Sequence, residues 1–160
     1  MRISILLCLA VTLAATGCGS HKASVTTSDG STTVSTSDDG KTATVTTKEG
    51  TVTEGAGAVD PSKLGAPVYP GATAGEGGMQ MAATTGSSAV AAFSTGDSFE
   101  KVYGWYQNHL PSGSEKMKVS AGGQDTAEFV TGDADKDQVA VMITAKDGRT
   151  QIVITHNTKK

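Results

Sequence analysis

Gln138-Val-Ala-Val-Met-Ile-Thr144 and Thr150-Gln-Ile-Val-Ile-Thr-His156, with Asp147-Gly148 in the link between them, are the stretch on which the fold turns. Val139, Val141 and Ile143 recur at every second position, as do Ile152 and Ile154, so each run reads as a strand with one buried face. Asp-Gly accepts the positive φ of a tight turn, and the two strands are expected to pair as a hairpin.

Outward from this hairpin the same logic finds more elements. Glu115–Ser120 and Gln124–Thr131 are strand candidates, as are Met79–Thr84 and Ala89–Ser94 around the turn Thr85-Gly86-Ser87-Ser88. Between the two pairs lies a helix. Asp97 stands as its cap with Glu100 three residues on, a capping-box spacing. Phe99, Val102, Tyr103, Tyr106 and Leu110 form one apolar stripe, and Pro111 and Gly113 end it. In Val68-Tyr69-Pro70-Gly71-Ala72, Pro then Gly fit the centre of a type II turn. The order ββαββββ predicts an α+β domain over residues 65–160, an antiparallel sheet with one packed helix. Tyr69, Met79 and Met81 are assigned to its core.

Upstream the composition changes. Sixteen of the 31 residues from Ala23 to Thr53 are Ser or Thr, and Gly30, Gly40 and Gly50 each follow an acid at ten-residue intervals. Three such turns would join four short Val/Thr strands, but a meander so poor in apolar side chains has little to bury. Residues 18–64 are therefore expected to be a tether, either hairpins or disordered, with its boundary near Asp60–Leu64.

The first residues carry an address. Arg2 precedes an apolar run from Ile3 to Ala15, too short to span a bilayer, and then Ala15-Thr16-Gly17-Cys18. This resembles the lipobox of bacterial lipoproteins, with Ala15 in place of the usual Leu. The resemblance implies that 1–17 is a signal peptide and that Cys18 is lipid-modified, anchoring the chain to a membrane. Gly19, by resemblance to enteric lipoproteins that lack Asp at that position, implies the periplasmic face of the outer membrane. Cys8 lies in the leader, so no thiol remains to form a disulfide.

Pro67 to Ala72, Asp97 to Val102 and Lys146 to Thr150 extend the likeness. Together they resemble small, uncharacterised bacterial lipoproteins with Thr/Gly-rich tethers, over roughly residues 66–156. The resemblance implies a fold and no activity.

Composition narrows the function. Past the leader, twelve Lys/Arg face sixteen Asp/Glu, which argues against nucleic acid. The histidines, His21, His109 and His156, show no ligand spacing, no hydrolase elbow or phosphate loop is present, and no cofactor is expected. Asp133, Asp135 and Asp137 sit at alternate positions as in a calcium loop, but Gln138 and Thr144 replace the Gly and Glu such a loop needs. A polar inter-strand loop is the simpler reading. Trp105 and His109 share a flank of the helical stripe, either as an interaction surface or as packing. The leading expectation is a non-catalytic envelope lipoprotein whose tethered module contacts another envelope protein, cell-wall glycan or a small ligand. A surface spacer or adhesin-like protein acting through the Thr-rich repeats is the alternative, and an envelope enzyme has least support.

Overall fold

The computed structural model describes residues 22–27, 30–146 and 148–160. Among them, ten strands form one antiparallel sheet. They are β1 (Lys22–Thr27), β2 (Gly30–Thr36), β3 (Thr42–Thr47), β4 (Gly50–Gly55), β5 (Thr73–Ala83), β6 (Gly86–Thr95), β7 (Glu115–Ala121), β8 (Gln124–Asp133), β9 (Asp137–Lys146) and β10 (Arg149–Lys159). A short 3-10 turn, Pro61–Lys63, lies between β4 and β5, and the helix α1 (Phe99–His109) between β6 and β7. The order across the sheet is β1-β2-β3-β4-β5-β6-β10-β9-β8-β7.

This corrects the α+β expectation. The described residues are mostly antiparallel β-sheet, and the single α-helix among them is a cover over part of one face. The error lies in residues 22–55, which are strands of the same sheet and not an appendage preceding it. β4 pairs with β5 from Gly50↔Ala83 to Glu54↔Met79, and β3, β2 and β1 follow in turn. An isolated Thr-rich meander is marginal in water. Here the edge of β5 supplies a preformed ladder on which each new hairpin pairs its backbone groups. Strand β5 also runs from Thr73, well before Met79, with a bulge between Ala74 and Gly78.

The chain breaks its meander once. After β6 it crosses to the far edge and returns through β7, β8 and β9 to β10, which pairs with β6 from Thr150↔Thr95 to Lys159↔Gly86. The crossing spans four strand spacings, ~19 Å, which α1, ~16 Å long, covers with its flanking residues. Leu110 is extended at ψ 157, the conformation favoured before Pro111.

The core lies between α1 and the strands beneath it. Phe99, Val102, Tyr103 and Tyr106 face Ala91 and Phe93 of β6, Ile152 and Ile154 of β10, Val141 and Ile143 of β9, and Ala127 and Phe129 of β8. The connection from β4 to β5 folds over the same side, where Val59, Leu64, Ala66 and Tyr69 are buried, Leu64 completely. Residues 60–64, read as a boundary, thus contribute to the core. The Ala72 amide donates to the Tyr69 carbonyl (3.1 Å) with Gly71 at φ +81, closing the turn at Pro70-Gly71.

The capping box does not form. Ser98 occupies the cap position without a side-chain bond. Asp97 instead accepts from the Tyr69 hydroxyl (2.7 Å) and the Lys101 ammonium (2.9 Å), and Glu100 pairs with Lys118 (3.0 Å). Both carboxylates are thus engaged by side chains of other residues and not by the first-turn amides.

Candidate interaction surface

In an antiparallel sheet, cross-strand partners share a face and neighbours along a strand alternate. With Ile152 and Ile154 defining the side under α1, the register assigns every strand residue to the covered side or the open one. Among the described residues the large exposed apolar side chains are Val34, Val45, Met79, Met81, Met117, Val119 and Met142, each 37–46 % exposed. All seven fall on the open side.

They form a band. Val34, Val45, Val52 and Met81 are successive partners across β2 to β5. Met79 continues to Val90 of β6, and Ala92, Val153 and Met142 link β6, β10 and β9. Met142 then leads through Glu128 of β8 to Met117 of β7, beside Val119. The assignment of Met79 and Met81 to the core is therefore corrected: they are 43 % and 42 % exposed on the open face. Their phase opposes that of Gln80, which pairs with buried Ala89.

Aromatic residues are distributed the other way. All seven in the sequence, Tyr69, Phe93, Phe99, Tyr103, Trp105, Tyr106 and Phe129, belong to the covered side. Trp105 is half-buried against the core, its ring stacked on that of His109 at 4.0 Å and edge-on to Tyr69 and Tyr106. His109 is exposed, with Nδ1 2.7 Å from the Trp105 carbonyl one turn back. The structure thus brings Trp105 and His109 together, with the indole engaged on several sides. The Tyr106 hydroxyl is buried without a well-formed hydrogen bond, and burial pushes its phenol far above the usual range, with the backbone of Tyr69 opposing that shift. The Tyr69 phenol is also raised, by burial first and then by its bond to Asp97.

A second polar locus lies at the β8–β9 end. His156 places Nδ1 2.6 Å from the Lys63 carbonyl and Nε2 2.8 Å from the Asp137 carboxylate, tying the β4–β5 connection to the sheet. An open cleft of about 460 Å³ beside it is lined by Gly65, Thr131, Asp133, Lys136, Asp137 and Val139 among others. Gly65 sits at φ +65, and a methyl group there would lie 2.6 Å from Val139. The three aspartates of the loop diverge. Asp133 accepts the Asp135 amide (2.8 Å), Asp135 pairs with Lys159 (3.2 Å), and Asp137 pairs with His156. Among the described residues no group of three or more His, Cys, Asp or Glu is placed to share a metal ion, and no helix is long and apolar enough to cross a membrane.

Residues 1–17, expected to be a leader, together with Cys18 and His21 lie outside the described residues. Sequence reasoning missed Met117, Val119 and Met142. The signal was present in the positions out of phase with Val139, Val141 and Ile143, which read as solvent-facing yet carry Met142. No protein-family profile, curated protein or solved structure matches this chain.

Proposed function

We propose that this chain is a lipid-anchored protein of the bacterial cell envelope that acts without catalysis, by presenting the open face of its sheet to another protein. One observation carries the reading: among the described residues every large exposed apolar side chain lies on that face, in a band that crosses the sheet and is broken only at Glu128. Scattered surface apolar residues need no explanation, but a contiguous apolar band marks an interaction site. Methionine suits such a role because its flexible thioether adapts to a partner's shape. The four methionines after Met1 are all in the band.

A protein partner fits better than a glycan, since the face offers Val, Met, Ala and Thr and none of the seven aromatic rings. The polar loci support the non-catalytic reading. Both ring nitrogens of His156 face acceptors, and Nδ1 of His109 faces its own helix, so neither ring presents a free pair of nitrogens to a substrate. The test is to replace Met81 and Met142 by Gln in the full chain, in its native envelope, and crosslink from the open face. Loss of the wild-type crosslinked product in the variant, with anchoring unchanged, is the expected result. An unchanged product would overturn the reading.

The pairing of β4 with β5 favours a second, structural role for the Thr-rich strands. With the anchor at Cys18 and β1 beginning at Lys22, at most ~14 Å of chain separates lipid from sheet. Strands β1–β4 then hold β5–β10 away from the anchor as a paired sheet, at ~4.8 Å per strand.

A further inference from the structure

The open face raises the question of what covers it, and the Thr-rich half answers part of it. In β2–β4 the helix-side positions are polar: Thr33, Ser35, Thr44, Thr46, Thr51 and Thr53. Thr44 and Thr53 bond through their hydroxyls at 3.2 Å, as do Thr51 and Thr46 at 3.4 Å. The apolar residues of this half, Val34, Val45 and Val52, take the opposite side. Among the described residues no helix lies over β2–β4, so these valines are not the fringe of the core. They belong to a second apolar surface that joins Met81 and runs on beneath the helix-covered half.

Its dimensions suit one kind of occupant. From β2 to β7 the band crosses eight strand spacings, ~38 Å, and is two same-face rows wide, ~15 Å. That is roughly 600 Å² in plane, the upper range for patches on monomers. With its rim of Thr, Ser and Gln it reaches the ~800 Å² per partner of a standard interface. The band runs across the strands and follows the twist of the sheet, and a twisted sheet face can pack against a second face of the same hand. Two such faces pack ~10 Å apart, as in a β-sandwich. Charge does not oppose self-pairing. Glu54 and Glu128 lie on this face, while Arg149 and Lys159 occupy its register positions at strand ends.

We propose that the open face is the interface between two copies of this chain, packed sheet to sheet about a two-fold axis. The inference rests on the interaction-face reading above and names its partner. An isologous contact uses the same patch on both copies, so one apolar band suffices. Anchoring of both copies to one membrane raises their effective concentration.

The mature chain has no cysteine beyond Cys18, so an introduced thiol is unique. Met79→Cys, Met142→Cys and, as a control on the exposed helix surface, Gln107→Cys would each be expressed as the full acylated chain in its native envelope. Each would then be treated with a short bismaleimide. The expected result is a product of two copies from Met79→Cys and Met142→Cys and none from Gln107→Cys. Adding Met81→Lys to Met142→Cys should cut that product at least tenfold with the melting temperature unchanged. A product joining this chain to a different protein would overturn the dimer and leave the interaction-face reading standing. No product from either open-face cysteine, in a chain that melts normally, would overturn the dimer, the interaction-face reading being tested separately by Met81→Gln with Met142→Gln.

Discussion

The two faces of the sheet are built from different chemistry. The covered face holds every aromatic ring, together with the branched residues Val139, Val141, Ile143, Ile152 and Ile154, which are each at most 6 % exposed. The open face holds the methionines and the valines of the Thr-rich strands, at 37 % exposure or more for the largest. One face is a core that fixes the fold; the other is a surface whose apolar groups add little to folding. Truncation should therefore be costly on one side and cheap on the other. Ile154→Ala leaves a cavity under α1 and should cost about 2–5 kcal/mol. Met142→Ala, which removes a side chain 44 % exposed, should cost under about 1 kcal/mol. Chemical denaturation of both variants measures the contrast, and equal losses would erase it.

Polar groups within the covered face sharpen the comparison. Thr150 is 1 % exposed, and its hydroxyl donates to the Asp97 carbonyl at 2.7 Å, fastening β10 to the start of α1. Thr150→Val keeps the shape and strands the acceptor, so a loss of about 1–2 kcal/mol is expected. Tyr106 should do the reverse. Its buried hydroxyl has no well-formed bond, the backbone of Tyr69 facing it only weakly, so Tyr106→Phe removes a desolvated group at no loss of packing and should raise stability by up to about 1 kcal/mol. A drop in the denaturation midpoint of Tyr106→Phe would mean that the hydroxyl is satisfied after all.

Sequence alone made half of this contrast legible. The strands β9 and β10 and the helix stripe announce themselves because their apolar residues recur at the period of their own element, and local periodicity needs no knowledge of neighbours. The Thr-rich strands gave a turn signal at Gly30, Gly40 and Gly50 but no apolar face, because what holds them is backbone pairing to β5, whose edge is available only once the domain has folded. The open band was hidden for the same reason. Val34, Val45, Val52 and Met81 are spread over 48 residues of chain and become a row only through three registers. Trp105 drew attention as a lone large aromatic, whereas the open face is made of residue types that excite none.

Acid should act at the junction of helix and sheet. Asp97 is held below its ordinary value of 3.8, chiefly by the Lys101 ammonium and then by the Tyr69 hydroxyl. A carboxylate lowered in the folded state stabilises it above the unfolded value, and that contribution fades as pH falls through the folded one. Asp39 and Asp60, lowered by their own hydrogen bonds, share the sign, so the informative quantity is a difference. Between about pH 5 and pH 2, Asp97→Asn should show a shallower loss of thermal stability than the wild type. Parallel curves would mean that the Tyr69–Asp97–Lys101 contact contributes nothing to folding.

The smallest expected effect tests the comparison most directly. Met142 sits between Val153 of β10 and Glu128 of β8, on the strand whose alternate residues Val141 and Ile143 are buried. Met142→Gln preserves length and flexibility and exchanges a thioether for an amide. On the covered face the same exchange would bury an unpaired amide at a cost of about 1–3 kcal/mol. On a surface 44 % exposed the amide keeps its water, and the stability change should stay within about 0.5 kcal/mol. A change of that size, measured in the chain held as a monomer by Met81→Lys, would separate the two faces along a single strand. A loss above about 1.5 kcal/mol in the same background would mean that the open face is packed within one copy, and the division between core and contact surface would fail at its central strand.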